Sequence, residues 1–440
     1  MPTLITNGTV LTMNDAMDVV RGDVWIDDGR IVSVGAAPAG AKASKVIDAT
    51  DAIVLPGFVQ THIHLCQTLF RGLADDRTLL SWLKERVWPL EAAHDERSLA
   101  AAARLAAAEL LIGGTTTVLT METVHGTDAV FEALGPTGIR AVVGKCMMNT
   151  RGDAPARLFQ PAKDAIDETL ALHTRWHGAA NGRLRAAFAP RFAISCTRDL
   201  LEATAAASAE RGMLVHTHAS EQREEIDVVR AQTGRDNIEY LADVGLATDR
   251  LCAAHCVWLT EAERHLLADR HVKVLHCPGS NLKLGSGIAP VPELRALGVS
   301  VSIGADGAAC NNTLDMFQEM RLTATLQAQR LGPGVLPARD VVWMATREGA
   351  RALGLDAEIG SIAPGKRADL IVVGTRGVHQ VPGRDPYSVL VYASRPTDVT
   401  ATLVDGQVVA ERGALAWDDP KAISDQAMSA AKALIGRAGL

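Results

Sequence analysis

Hydrophobic and polar positions follow two rhythms along this chain. Residues 3–12 and 22–35 alternate as short strands, with Asp28-Gly29 as a hairpin turn between Val24-Trp25-Ile26 and Ile31-Val32-Ser33-Val34. Lys45-Val46-Ile47 and the apolar run Ile53-Val54-Leu55 extend this β-rich opening. After residue 57 the rhythm changes. Short apolar strands are predicted at 58–64, 115–120, 139–144, 184–189, 213–218, 251–255, 272–276 and 299–304. Helical patterns lie between them, at 96–112 and roughly at 197–211, 222–232, 260–270 and 314–330. Asp95 is placed to cap the start of the first of these, and Gly113 to end it. Repeated strand–helix alternation predicts an α/β fold, a parallel TIM-like (β/α)8 barrel. From about residue 366 the text turns β again, with Ala368–Val373, Val399–Val404 and Val408–Ala410, and the last twenty residues read as a helix. Neither terminal set of strands is large enough for a core of its own. The expectation is therefore a small β-sandwich built from 1–57 and 366–420, a barrel over 58–365, and a C-terminal helix over 421–440.

Composition narrows the partners. A length of 440 residues suits one large domain with a smaller companion. A net charge of −7 and no Lys/Arg run argue against nucleic acid. No run of 18 apolar residues predicts a membrane span, and residues 1–17 lack the cationic start and apolar core of a signal peptide. Seven cysteines without a C-x-x-C pair predict reduced thiols and a cytoplasmic location.

Candidate chemistry collects at the ends of the predicted barrel strands, where barrel active sites lie. His62 and His64 are two apart, so on a strand both imidazoles reach the same side. Alone, such a pair also fits one core and one surface histidine. Strand five ends in His216-Thr217-His218-Ala219-Ser220-Glu221, strand six in His255, and Asp306 follows strand eight. Imidazoles and a carboxylate converging on one mouth suit a borderline divalent ion, zinc first and iron(II) second, with an open position for water. His218, nearer the strand end, is read as a ligand and His216 as a buried core histidine. Glu221 taken alone reads as a plain helix N-terminal glutamate, but beside the histidines it is placed to move protons. His255 reads either as a further ligand or as a donor orienting the water. Asp306 reads as ligand or base rather than helix cap.

These residues carry a family resemblance. Pro56-Gly-Phe-Val-Gln-Thr-His-Ile-His64, His218 with Glu221, Ala254-His-Cys-Val-Trp-Leu259, His276-Cys-Pro-Gly-Ser-Asn-Leu-Lys-Leu-Gly-Ser-Gly287, Gly304-Ala-Asp-Gly-Ala-Ala-Cys-Asn-Asn312 and Pro364-Gly-Lys-Arg-Ala-Asp-Leu-Ile-Val-Val373 together resemble the amidohydrolase superfamily, in its mononuclear-metal deaminase and triazine-hydrolase branch. The resemblance implies that His62, His64, His218 and Asp306 hold one metal. It implies that Asp306 also accepts a proton from the attacking water, that Glu221 shuttles protons to the ring nitrogen and departing group, and that His255 hydrogen-bonds the nucleophile. Ala189-Pro190-Arg191 offers no lysine after strand four, which favours one metal over two.

For the substrate, Ser81-Trp82-Leu83 through Trp88-Pro89-Leu90-Glu91 resembles the segment of S-adenosylhomocysteine, methylthioadenosine and 5′-deoxyadenosine deaminases that brings an aromatic and a ribose-reading Glu to the nucleoside. By that likeness Trp88 stacks on the substrate and Glu91 reads ribose. Arg191-Phe192 departs from the adenosine-type pattern, which has a His there, and resembles the guanine deaminases. Both are therefore expected at the substrate. Arg151 and Arg157 read as surface residues. The expected function is hydrolytic deamination of a 5′-modified adenosine-like nucleoside, with a guanine-type deaminase or s-triazine hydrolase as the alternative. A non-catalytic metal-binding relative is disfavoured by the presence of Glu221, His255 and Asp306. The resemblance also implies a homo-oligomer.

Overall fold

The computed structural model describes residues 2–440. The two rhythms of the chain become two nine-stranded sheets. Strands from both chain ends join in the first. Ala52–Pro56 pairs antiparallel with the returning strand Leu370–Gly374, Leu370 opposite Pro56 and Val373 opposite Ile53. Thr3–Leu11 lies on the other side of Ala52–Pro56, and Val399–Val404 and Gln407–Glu411 continue the sheet beyond Leu370–Gly374. The Asp28-Gly29 turn joins Val19–Asp27 to Arg30–Gly35, as its sequence predicts.

The second sheet is parallel and curled, and fits a TIM-like barrel. Its strands run in chain order: Phe58–His64, Thr115–Met121, Arg140–Met147, Leu184–Pro190, Val215–Ala219, Leu251–His255, Lys273–His276 and Val301–Ile303. Nearly every residue of these strands is buried, because helices cover one face and side chains fill the other. The helix Glu96–Ile112 follows the predicted bounds. Asp95 accepts from Ser98 N at 2.8 Å while Ser98 Oγ accepts from Asp95 N at 3.0 Å, a reciprocal cap. The C-terminal helix Pro420–Ala438 packs on it, and Arg437 donates to Ala93 O at 2.8 Å. The helix Ala162–Trp176 was not expected. Its fully buried residues are only Ala165, Thr169 and Leu172, a stripe too thin to stand out by period.

The last strand departs most from expectation. Val301–Ile303 pairs with Lys273–His276, and after a break Asp306–Gly307 pairs with Phe58–His64, Asp306 opposite Ile63. Gly304 makes the close approach possible, since a Cβ there would lie 2.6 Å from the backbone N and O of His62. Away from the strands' C-terminal ends, Arg140 ties the two sheets together. Its Nε donates to Asp369 at 2.9 Å and its Nη2 to Asp405 at 2.8 Å.

Candidate active site

At the C-terminal ends of the parallel strands the chain turns sharply. Ser220, His255, Cys256 and Asp306 all take positive φ (52°, 71°, 49° and 62°), unusual for residues other than glycine. Such strain clusters where a fold holds side chains for a purpose.

The imidazoles converge there, and each has its proton placed by a neighbour. His64 Nδ1 lies 2.8 Å from Met121 O, and His218 Nδ1 lies 2.7 Å from Arg191 O. A carbonyl only accepts, so both rings carry hydrogen on Nδ1 and a lone pair on Nε2. His216 Nδ1 faces Thr120 O at 3.2 Å, which leaves its Nε2 to accept from His62 Nδ1 at 2.6 Å. His62 therefore also presents Nε2 as a lone pair. That atom is buried and has no hydrogen-bond partner among the described residues. The Nε2 atoms of His64 and His218 face each other at 3.2 Å. Two lone pairs at that separation call for positive charge between them.

Asp306 completes the set. Its Oδ1 lies 3.3 Å from both His62 Nε2 and His64 Nε2. Three neutral imidazole nitrogens and one carboxylate oxygen match the donors of a borderline divalent ion, so the cluster fits the metal its sequence suggests. His216 stands behind His62, orienting it, as a buried core histidine.

Electrostatics divide the roles. Burial drives His62 down to about 4, against the pull of Asp306, which keeps it neutral and able to ligate. Burial and the neighbouring rings hold His218 well below the ordinary histidine value. Burial opposes the Asp306 charge, but His62 and His64 outweigh it and hold that carboxyl well below the usual range. Glu221 behaves oppositely: burial pushes it up to about 7, with His255 pulling back. His255 is raised because Glu221 and Asp306 outweigh its burial. Its Nε2 lies 3.5 Å from Glu221 and 4.0 Å from Asp306. One anion, a carboxyl near neutrality and an imidazole thus share one enclosed space.

The four residues expected at the substrate separate into two pairs. Trp88 and Phe192 line an apolar cavity of about 260 Å³, and Phe192 stacks on His218 with ring centroids 4.5 Å apart. Glu91 and Arg191 instead pair with each other, both buried, Arg191 Nη2 donating at 3.2 Å and Nη1 to the other oxygen. Gln67 Nε2 also donates to Glu91, at 3.0 Å. Arg151 is exposed, its guanidinium over the Phe159 ring, and Arg157 donates to His94 O. Gln67, Ser280, Asn281 and Ser286 touch the cluster or its neighbours and went unnoticed in the sequence. The last three lie inside the His276–Gly287 motif, the one signal that could have marked them.

Comparison with known proteins agrees with this geometry. Residues 53–409 match the amidohydrolase family. The chain is 41% identical over 434 residues to a 5′-deoxyadenosine deaminase of Methanothermobacter thermautotrophicus, covering 98% of this chain and 99% of the relative. It is 40% identical to a 5-methylthioadenosine/S-adenosylhomocysteine deaminase of Symbiobacterium thermophilum, covering 93% of each. Among solved structures, a zinc-bound adenosine deaminase of Xanthomonas campestris superposes with a TM-score of 0.92 at 33% identity, covering 99% of this chain and 98% of that one.

Proposed function

The chain belongs to the amidohydrolase family, and from that premise we propose that it is a metal-dependent hydrolytic deaminase of adenosine-like nucleosides modified at the 5′ position. The observation that carries this reading is the convergence of the His62, His64, His218 and Asp306 donors beside Glu221 and His255. The near-full-length likeness to deaminases of 5′-deoxyadenosine and methylthioadenosine supplies the substrate class. In this reading the parallel sheet is a closed (β/α)8 barrel over 58–365, and residues 1–57 and 366–420 fold as a β-sandwich.

The residues act as follows. His62, His64, His218 and Asp306 hold one divalent ion, zinc first and iron(II) second, which supplies the Lewis acidity that makes water nucleophilic near neutral pH. Asp306 accepts a proton from the attacking water. Glu221, part-protonated near neutrality, donates to the ring nitrogen as the water oxygen bonds to C6. His255 hydrogen-bonds the attacking oxygen and steadies its charge. Glu221 then passes a proton from Asp306 to the amine. The C–N bond breaks and ammonia leaves, and the oxygen bonded to C6 returns its remaining proton to Glu221, so the ring keeps a carbonyl and both carboxyls regain their starting states. Trp88 and Phe192 hold the base, and Glu91 reads the ribose.

The Arg191–Glu91 pair favours a second reading on the same machinery, a guanine-type or s-triazine hydrolase, because it removes much of the accepting capacity a ribose needs. Among the described residues no helix is long and apolar enough to cross a membrane. Seven free, buried cysteines support a cytoplasmic home. We expect a homo-oligomer, to be read by light scattering.

The test is ammonia release by purified, metal-analysed protein. The panel is adenosine, 5′-deoxyadenosine, methylthioadenosine, S-adenosylhomocysteine, guanine and an aminotriazine. Best turnover of the adenosine-type compounds supports the first reading, and guanine or the triazine winning replaces it with the second. Glu221→Ala turning over at the wild-type rate would remove the mechanism.

A further inference from the structure

One short stretch after the seventh parallel strand touches the two carboxyls that move protons in the proposed reaction and the imidazole that steadies the attacking oxygen. Ser280 Oγ donates to Asp306 Oδ2 at 2.7 Å. Asn281 Oδ1 lies 2.8 Å from His255 Nδ1 and accepts its hydrogen. Ser286 Oγ donates to Glu221 Oε1 at 3.1 Å. The three partners come from three other strand ends, so residues 280–286 are where those ends are brought into register.

The stretch is itself held rigid. Ser280 and Asn281 lie on the helix Pro278–Lys283, and Ser286 follows in a tight turn between Gly285 (φ 67°) and Gly287 (φ 124°). Ser286 N donates to Asn281 O at 2.8 Å, which ties the turn to the helix. Trp258 Nε1 donates to Ser286 O at 2.7 Å. A Cβ at Gly287 would come within 3.0 Å of the Trp258 ring, so only glycine lets the turn lie flat against it. The Ser286 hydroxyl has a single hydrogen, which Glu221 takes, and its lone pair accepts from Gln222 Nε2 at 3.1 Å. That acceptance leaves the hydroxyl no better use for its hydrogen than Glu221. Glu221 is then fixed by one oxygen, and the other is left facing His255.

We propose that Ser286 and Asn281 are positioning residues, Ser286 aiming the Glu221 carboxyl and Asn281 holding the angle of the His255 ring through its Nδ1–H. The roles rest on the reading of Glu221 and His255 given under Proposed function. Neither residue touches the substrate. Each acts on a group whose work is done in the transition state, so removing it lowers kcat and leaves KM in place.

The experiment uses the metal-loaded full chain and the panel substrate turned over best by wild type. Ser286→Ala is expected to lower kcat by ~10–100-fold with KM, metal content and melting temperature near wild type. Ser286→Thr keeps the hydroxyl and is expected to recover most of the loss. Asn281→Asp keeps an acceptor for His255 and is expected to exceed Asn281→Ala in kcat. Two results would overturn the proposal: Ser286→Ala within ~2-fold of the wild-type kcat, or a rise in KM alone. Equal losses in Ser286→Ala and Ser286→Thr, or in Asn281→Ala and Asn281→Asp, would also overturn it, since the hydrogen bond would then not be what matters. Should Ser286→Ala fail to fold, the Asn281 pair decides alone. Failure of the nucleoside reading looks different: wild type itself then prefers guanine or the triazine, and the positioning roles are read on that substrate. No turnover of any panel compound would overturn the reading and the positioning roles together.

Discussion

Arg191 grips Glu91 through two N–H groups, and both side chains are only 1% exposed. The two residues lie 100 positions apart, on the end of the fourth parallel strand and on the helix Trp88–Ala92. A buried charge pair of this kind costs desolvation on both sides, and its geometry must repay that cost. Arg191 is held firmly charged: burial works against the guanidinium, but Glu91 more than compensates.

Breaking the pair from one side should be worse than removing it from both. Arg191→Met leaves the Glu91 carboxylate buried without its partner and is expected to cost ~3–5 kcal/mol of stability. Arg191→Met combined with Glu91→Gln should recover much of that. Denaturant unfolding of the two single variants and the double variant gives the coupling directly; additive losses would mean the pair is not linked in solution.

The same pair limits what Glu91 can read. A carboxylate offers about four lone-pair sites, and Arg191 and Gln67 use three of them. One ribose hydroxyl can be satisfied, not two. If the substrate is an adenosine-like nucleoside, 2′-deoxyadenosine or 3′-deoxyadenosine should match adenosine in kcat/KM within ~10-fold, while 2′,3′-dideoxyadenosine falls further, by a hydrogen bond to a charged group. Steep losses on removing either hydroxyl would mean that Arg191 lets go when substrate binds.

His216 should govern metal affinity without being a ligand. It holds the His62 proton on Nδ1, and a leucine there leaves His62 free to turn. His216→Leu is expected to weaken zinc binding ~10–100-fold in a competition assay with a chromogenic chelator. Zinc removal from wild type should lower the melting temperature, because the facing lone pairs of His64 and His218 lose the charge between them.

Glu319, which touches neither the metal-binding donors nor Glu221, predicts a pH dependence of stability. Burial raises its carboxyl from the ordinary 4.5 to about 8, although Asn311 Nδ2 and Gly279 N donate to it. The folded chain therefore binds this proton more tightly than the unfolded chain does. Its contribution to stability is fully present below about pH 4.5 and is lost as pH rises through about 8. Glu319→Gln should flatten that part of a stability profile measured by urea unfolding from pH 5 to 9. An unchanged slope would place the responsible proton elsewhere.

Much of this was legible in the chain itself, because it is local. Strand and helix periods depend on neighbours a few residues away, and the eight parallel strands fell close to their predicted places. His62 and His64 share a side because strand geometry dictates it, and Asp306 sits at the mouth because it follows the last strand. Distances between remote residues were not legible. Nothing around His216 announces that it will orient His62, 154 positions away, or that Glu91 and Arg191 will pair. Ser280, Asn281 and Ser286 look like ordinary polar residues until the short helix and turn that carry them are folded against three strand ends. Chemical identity and short-range pattern are written in order along the sequence. Partner choice among buried polar groups is settled only when the strand ends converge, because a hydrogen bond is decided within a few tenths of an ångström and by which lone pairs remain free.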